Sequence, residues 1–172
     1  PGFILVLHTF GRDLKWNPHI HCLVSEGGIG NSGLWRPKKY FDYTFLRNAF
    51  RTALLDLMEK KLGSSFKKVK ARCYKEHEHG FYVYAKPNKC NPKIVAKYIG
   101  RYLGRPVIAT SRIDRYDGET VTFHYNRHED NRLITESVPV MEFIQRLIQH
   151  IPEKHFKQIR YYGLYAGNNK ND

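Results

Sequence analysis

Apolar and polar positions alternate along the first quarter of this 172-residue chain in a way that predicts paired strands. Phe3 to Phe10 is an apolar run closed by Gly11, and Ile20 to Val24 is a second one. The polar residues Asp13 to Asn17 between them favour a turn, so strands over 3–11 and 18–25 are expected to form an antiparallel hairpin. The period then changes. Phe45, Leu46, Ala49, Phe50, Ala53, Leu54, Leu57 and Met58 recur at helical spacing over 42–62, with Gly63 placed to end the helix. Further strands are predicted over 79–86, 107–113, 119–126 and 131–137, with Asp117-Gly118 as a hairpin turn. Helices are predicted over 91–104 and 139–150. Asn91 and Pro92 start the first of these, and Gly104 before Arg105-Pro106 stops it. In the second, Val140, Phe143, Ile144, Leu147 and Ile148 make one apolar stripe. The pattern as a whole predicts an α+β domain with a central antiparallel sheet and flanking helices.

The length suits one domain with a proper core. No run reaches the length of a membrane span, and nothing has the form of a signal peptide. The lack of an initiator Met, with an apolar strand beginning at Phe3, points to a piece of a longer protein. Cys22, Cys73 and Cys90 are odd in number and scattered, which encodes neither a disulfide framework nor a Cys-rich zinc knuckle. A reducing cytoplasm is the default compartment.

Charge narrows the function classes. Lys and Arg number 29 against 16 Asp and Glu, a net charge of +13, and 14% of residues are aromatic. Such a chain favours a polyanion, most simply a nucleic acid, whose phosphates take cations and whose unpaired bases stack on rings. Charge alone does not separate DNA from RNA or an acidic membrane surface. The basic run Phe66 to Arg72 fits a nucleic-acid-facing edge or a solvated surface equally, and Glu76-His77-Glu78-His79 reads as an exposed polar turn.

Two constellations carry chemistry. His19 and His21 alternate onto one face of their predicted strand, and pairing that sets His8 opposite or near His21 brings in a third imidazole. Three such ligands hold a divalent metal and leave coordination positions open for a substrate. Unconnected surface histidines are the plain alternative. In the 91–104 helix, Val95, Ile99 and Leu103 form the packing stripe, Lys97, Arg101 and Arg105 a basic stripe, and Ile94, Tyr98 and Tyr102 a third row. The two phenols therefore point the same way one turn apart, beside cations able to hold phosphate. Rings packed into the core are the alternative here. A phenol with a pKa of about 10 needs activation to attack at neutral pH. A metal on three imidazoles would polarise the phosphodiester, and Lys97 or Arg101 would offset charge gathering on it.

Asn17-Pro18-His19-Ile20-His21 followed by Tyr98-Ile99-Gly100-Arg101-Tyr102-Leu103-Gly104-Arg105 resembles the HUH endonuclease domain of two-tyrosine rolling-circle transposases of bacterial insertion sequences. Leu7 to Gly11, Val83 to Lys86 and Phe156 to Gly163 extend the resemblance to the end of the chain. It implies nicking of single-stranded DNA at a transposon end, in a bacterial, nucleoid-associated setting. One tyrosine would form a 5′-phosphotyrosine link and release a 3′-OH, and the other would serve in strand transfer. It implies an HUH-like fold with the His pair on a middle strand and the tyrosine helix against that face. His19 and His21 carry over as ligands of a divalent metal, with Mg²⁺ or Mn²⁺ expected in function and Zn²⁺, Ni²⁺ or Mn²⁺ suited by imidazole preference. His8 is the third ligand by its spacing, with Asp13 and Glu26 as substitutes. Longer members of that family carry a Cys-rich zinc segment ahead of this domain, which this sequence lacks. A rolling-circle replication initiator, a relaxase-like nickase, a water-using hydrolase and a nonenzymatic single-strand-binding module are the other readings.

Overall fold

The computed structural model describes residues 1–38, 40–84, 97, 100 and 106–167. Two compact units make up the chain, one from residues 1–29 with 90–172 and the other from residues 30–89. The chain is of the α+β class, with antiparallel sheets and helices.

The first unit begins with the expected hairpin. Strand β1 (Gly2–Phe10) pairs antiparallel with β2 (Trp16–Val24), and Leu5, Leu7, Ile20 and Cys22 share one face while Val6, His8, His19 and His21 share the other. A short strand, β3 (Gly27–Ile29), follows. On its far edge β1 takes β8 (Ile159–Gly163), giving the order β2-β1-β8. Gly163 has φ +58°, and a Cβ there would collide with the carbonyl oxygen of Pro1, so only glycine closes this corner.

A second antiparallel sheet has the order β5-β6-β7, from Ile113–Tyr116, Thr120–Asn126 and Leu133–Pro139, and leads into helix α3 (Val140–Ile148). The Asp117 carboxylate accepts from the N–H groups of Glu119 and Thr120, and Gly118 takes φ +102°, so the expected Asp-Gly hairpin forms. The core of the unit is Val121, Phe123, Val138 and Phe143 from this sheet and helix, joined by Leu14 from the β1–β2 turn.

In the second unit, β4 (Trp35–Pro37) precedes α1 (Tyr43–Leu62) and α2 (Lys67–Glu76). Asp42 caps α1 by accepting from the Phe45 N–H at 2.9 Å, and Gly63 follows it at φ +76°. The face α1 buries is that of Arg51 and Leu55, and the Phe45 and Leu57 row of the apolar pattern is exposed. The Arg51 guanidinium lies 4.4 Å from the Tyr74 ring centroid and donates to the carbonyls of His77 and Glu78 beyond α2. It takes up carbonyls that an apolar side chain would leave bare. The basic run became the start of α2, with Phe66 buried and Lys70 donating to Asp56 and Glu59.

Four expectations are corrected. The described part of 79–86 is a turn followed by chain outside any strand, because the Phe81 N–H donates to the Arg47 carbonyl on α1 and Gly80 takes φ +81°. Over 107–113, Val107 and Ile108 pack on the core and Thr110–Arg112 coils into one 3-10 turn, so pairing begins only at Ile113. The strand at 159–163 was not foreseen. Among the described residues the first unit holds two three-stranded sheets in place of one central sheet, and in the order β2-β1-β8 the His pair lies on the outer strand β2 while the middle strand β1 carries His8.

Candidate metal centre

The register sets His8 opposite His19 and Val6 opposite His21, so His8 lies close to His21 as anticipated. Because cross-strand partners share a face, the three imidazoles converge. Ring centroids lie 5.6 Å apart for His8 and His19, 4.7 Å for His8 and His21, and 4.9 Å for His19 and His21. One ring nitrogen from each lies within 4.8 Å of the others. Tetrahedral ligands about 2.0–2.1 Å from a metal sit roughly 3.3 Å apart, a gap that small side-chain rotations close.

Proton placement favours ligation. His19 Nδ1 is 2.7 Å from the Asn17 carbonyl, which can only accept, so Nδ1–H donates and the Nε2 lone pair is left for a metal. His8 is buried, at 7% exposure, and its ring stacks on Phe10 at 5.3 Å, which restricts its rotation. Three imidazoles on one sheet face fit a divalent ion as donor chemistry.

The turn beneath these strands is held from α3 and the residues after it. Leu14 adopts φ +64° and is fully buried in the core of the second sheet. Its carbonyl accepts from Gln149 Nε2 at 3.2 Å and His150 Nε2 at 2.9 Å, and the Asp13 carbonyl accepts from Arg146 at 3.3 Å. His150 is 5% exposed, and since Nε2 donates to a carbonyl, Nδ1 accepts the Thr9 hydroxyl proton at 3.0 Å. Both nitrogens of a buried imidazole are thereby satisfied, as burial demands. Arg146 also bonds Glu136 and Glu142, whose carboxylates outweigh burial and raise its pKa. Tyr125, pushed up first by burial and then by the Glu136 charge, remains a neutral phenol beside them. On the opposite side Arg12 donates to the Asn126 carbonyl and Arg112 to the Arg12 carbonyl.

The proposed substitutes take no part in the cluster. The Asp13 carboxylate accepts from the Lys15 N–H within the turn, and Glu26 is exposed. Lys97 and Gly100 have helical backbone and are exposed; Tyr98, Tyr102, Arg101 and Arg105 lie outside the described residues. Among the described residues the three histidines are the one group of metal-ligating side chains brought together.

A sequence profile whose family is described as "Putative transposase" matches residues 2–172. The chain belongs to this transposase family. Two curated relatives that it resembles are longer proteins. The transposase for insertion sequence element IS801 of Pseudomonas savastanoi is 30% identical over 185 residues, covering 96% of this chain and 43% of the relative. The protein named "Putative transposase y4qJ" of Sinorhizobium fredii is 31% identical over 189 residues, covering 97% of this chain and 46% of the relative. The transposase-family chain thus spans less than half the length of each. No solved structure matches it. None of its described helices is long and apolar enough to cross a membrane.

His150, which bonds the turn beneath the histidines, was not foreseen. A histidine just past an amphipathic helix carries no sequence signal, since its importance arises from a contact 141 residues away with Thr9.

Proposed function

We propose that this chain is the catalytic domain of an HUH-type transposase that nicks and rejoins single-stranded DNA at transposon ends. The observation that carries the reading is the convergence of His8, His19 and His21 on one sheet face in a chain of the transposase family. When bound, a divalent ion such as Mg²⁺ or Mn²⁺ supplies Lewis-acid polarisation of a phosphate oxygen.

The chain's own groups do the rest. The three imidazoles orient one phosphate. The phenol oxygen of Tyr98 or Tyr102 attacks phosphorus, forming the Oη–P bond as the P–O3′ bond breaks; the phenol gives up its proton and the departing 3′ oxygen gains one. Exchange of one phosphodiester for another conserves bond energy for a later rejoining step, in which a 3′-OH attacks the tyrosyl phosphodiester and the phenol leaves, the second tyrosine serving in strand transfer. Lys97, Arg101 and Arg105 hold phosphates and offset the charge that gathers in the transition state.

The test is a labelled single-stranded oligonucleotide from the element's end, incubated with this chain and Mg²⁺ or Mn²⁺. A covalent protein–DNA adduct is expected, lost in the Tyr98→Phe/Tyr102→Phe double variant and in His19→Ala. Cleavage without adduct would establish a hydrolase, and binding without cleavage a binding module; either overturns the proposal.

A further inference from the structure

Trp16 lies at the start of β2, three residues before His19, about 10 Å along the strand. Its indole is 57% exposed although it stands in the best-anchored part of the first unit. The ring lies parallel to that of His150, with 5.9 Å between centroids and 5° between planes, an offset stack. His150 is immobilised by its bonds to Thr9 and Leu14, so one face of the indole rests on a fixed aromatic floor. From there rings continue to the histidines: His150 to Phe10 at 5.6 Å, Phe10 to His8 at 5.3 Å. Arg12 and Lys15, both exposed, flank the turn with positive charge.

An exposed tryptophan backed on one face, held rigid and set among cations matches what an unpaired base needs. A base offers a flat π face with a phosphate on either side, and ordering it against a ring already fixed costs less than ordering both. A protein partner would gain the same apolar area, but the net charge of +13 favours a polyanion. We propose that Trp16, backed by His150, is a stacking platform for one base of the single strand close to the phosphate held at the histidines. This rests on the single-strand reading above and adds the residue that fixes where along the strand that phosphate falls.

Binding of a fluorescein-labelled element-end oligonucleotide is measured in EDTA, so that no cleavage intervenes. Trp16→Ala should weaken affinity roughly 5- to 100-fold, and Trp16→Phe should retain most of it. A Mn²⁺ titration of both variants should match the parent, separating lost stacking from a disturbed metal site. An abasic nucleotide walked through the oligonucleotide should reproduce the loss at one position, and there the abasic site and Trp16→Ala should not add. In a Trp35→Phe background the remaining indole emission should be quenched by the oligonucleotide; this readout stands even if Trp16→Ala folds poorly. Unquenched emission on binding, additive losses at every position, or a change in oligomeric state with DNA affinity intact would overturn the platform. Adduct formation with an unchanged Trp16→Ala affinity would sink this inference alone, whereas quenching without an adduct in Mg²⁺ would sink the nicking reading alone.

Discussion

Leu14 offers a quantitative test of how the histidine-bearing hairpin is anchored. Its side chain is fully buried among Val121, Phe123, Val138 and Phe143, and its backbone is left-handed at φ +64°. Leu14→Ala removes buried methyl groups from a site framed by two strands and a helix, where collapse is limited. The loss should be about 3 kcal/mol, within the range of about 2.7–5 kcal/mol for such truncations. At roughly 2–4 °C per kcal/mol for a chain of this size, that corresponds to a melting point lowered by about 6–12 °C. The Leu14→Gly variant carries the sharper test. Glycine ordinarily costs about 0.5–1 kcal/mol more than alanine through chain entropy. Here alanine must bear about 1–2 kcal/mol for the left-handed conformation, which glycine adopts freely. The two variants should therefore unfold within about 1 kcal/mol of each other, with glycine equal or ahead. Urea denaturation followed by circular dichroism reads both values. An alanine loss under about 1 kcal/mol, or a glycine variant more than about 1 kcal/mol below alanine, would refute the anchoring argument.

Other substitutions probe the supports around it. Arg146→Met leaves Glu136 beside Tyr125 without its cation and strips the Asp13 carbonyl of a donor. Because the pair is only partly buried, a loss of about 2 kcal/mol in urea titration is expected, below that for fully buried pairs; stability within error of the parent would show that the cluster contributes nothing. For Asp130, the hydrogen bond from Arg127 and then the Arg132 N–H hold the carboxyl down, from an ordinary 3.8 to about 2. A folded-state pKa depressed in this way contributes stability above the unfolded value and loses it as pH falls from about 3.8 through about 2. The stability gap between the parent and Asp130→Asn should accordingly close across that window, and a gap equally wide at pH 2 and pH 6 would contradict the assignment.

Local order was legible where local chemistry sets it. Asp117-Gly118 specifies its turn by side-chain capping and a glycine conformation, and β1, β2 and α1 follow from periodicity with ends within two residues. The three histidines were legible because alternation along β2 and a short hairpin bring them together without help from distant chain. Pairing partners were less legible. Phe81 to Tyr84 has strand-forming residues, yet its hydrogen bonds go to a helix carbonyl, a choice no window of sequence encodes. Likewise β8 is a strand because β1 offers it an edge some 150 residues away. The apolar row on α1 misled for a similar reason: which face is covered depends on its partner, and here that partner turns carbonyls toward Arg51.

The fastening of Leu14 also orders events during synthesis. The β1–β2 hairpin is synthesised well before the donors that fix its turn, Arg146, Gln149 and His150, which stand 133 to 136 residues later. At about 5–20 residues per second the ligand-bearing strands wait on the order of 10 s or more before their anchor is made. Until then the hairpin is at best marginal, as isolated two-stranded ribbons are. A nascent or truncated chain therefore lacks an ordered histidine cluster, which comes into being only with a nearly complete domain around it.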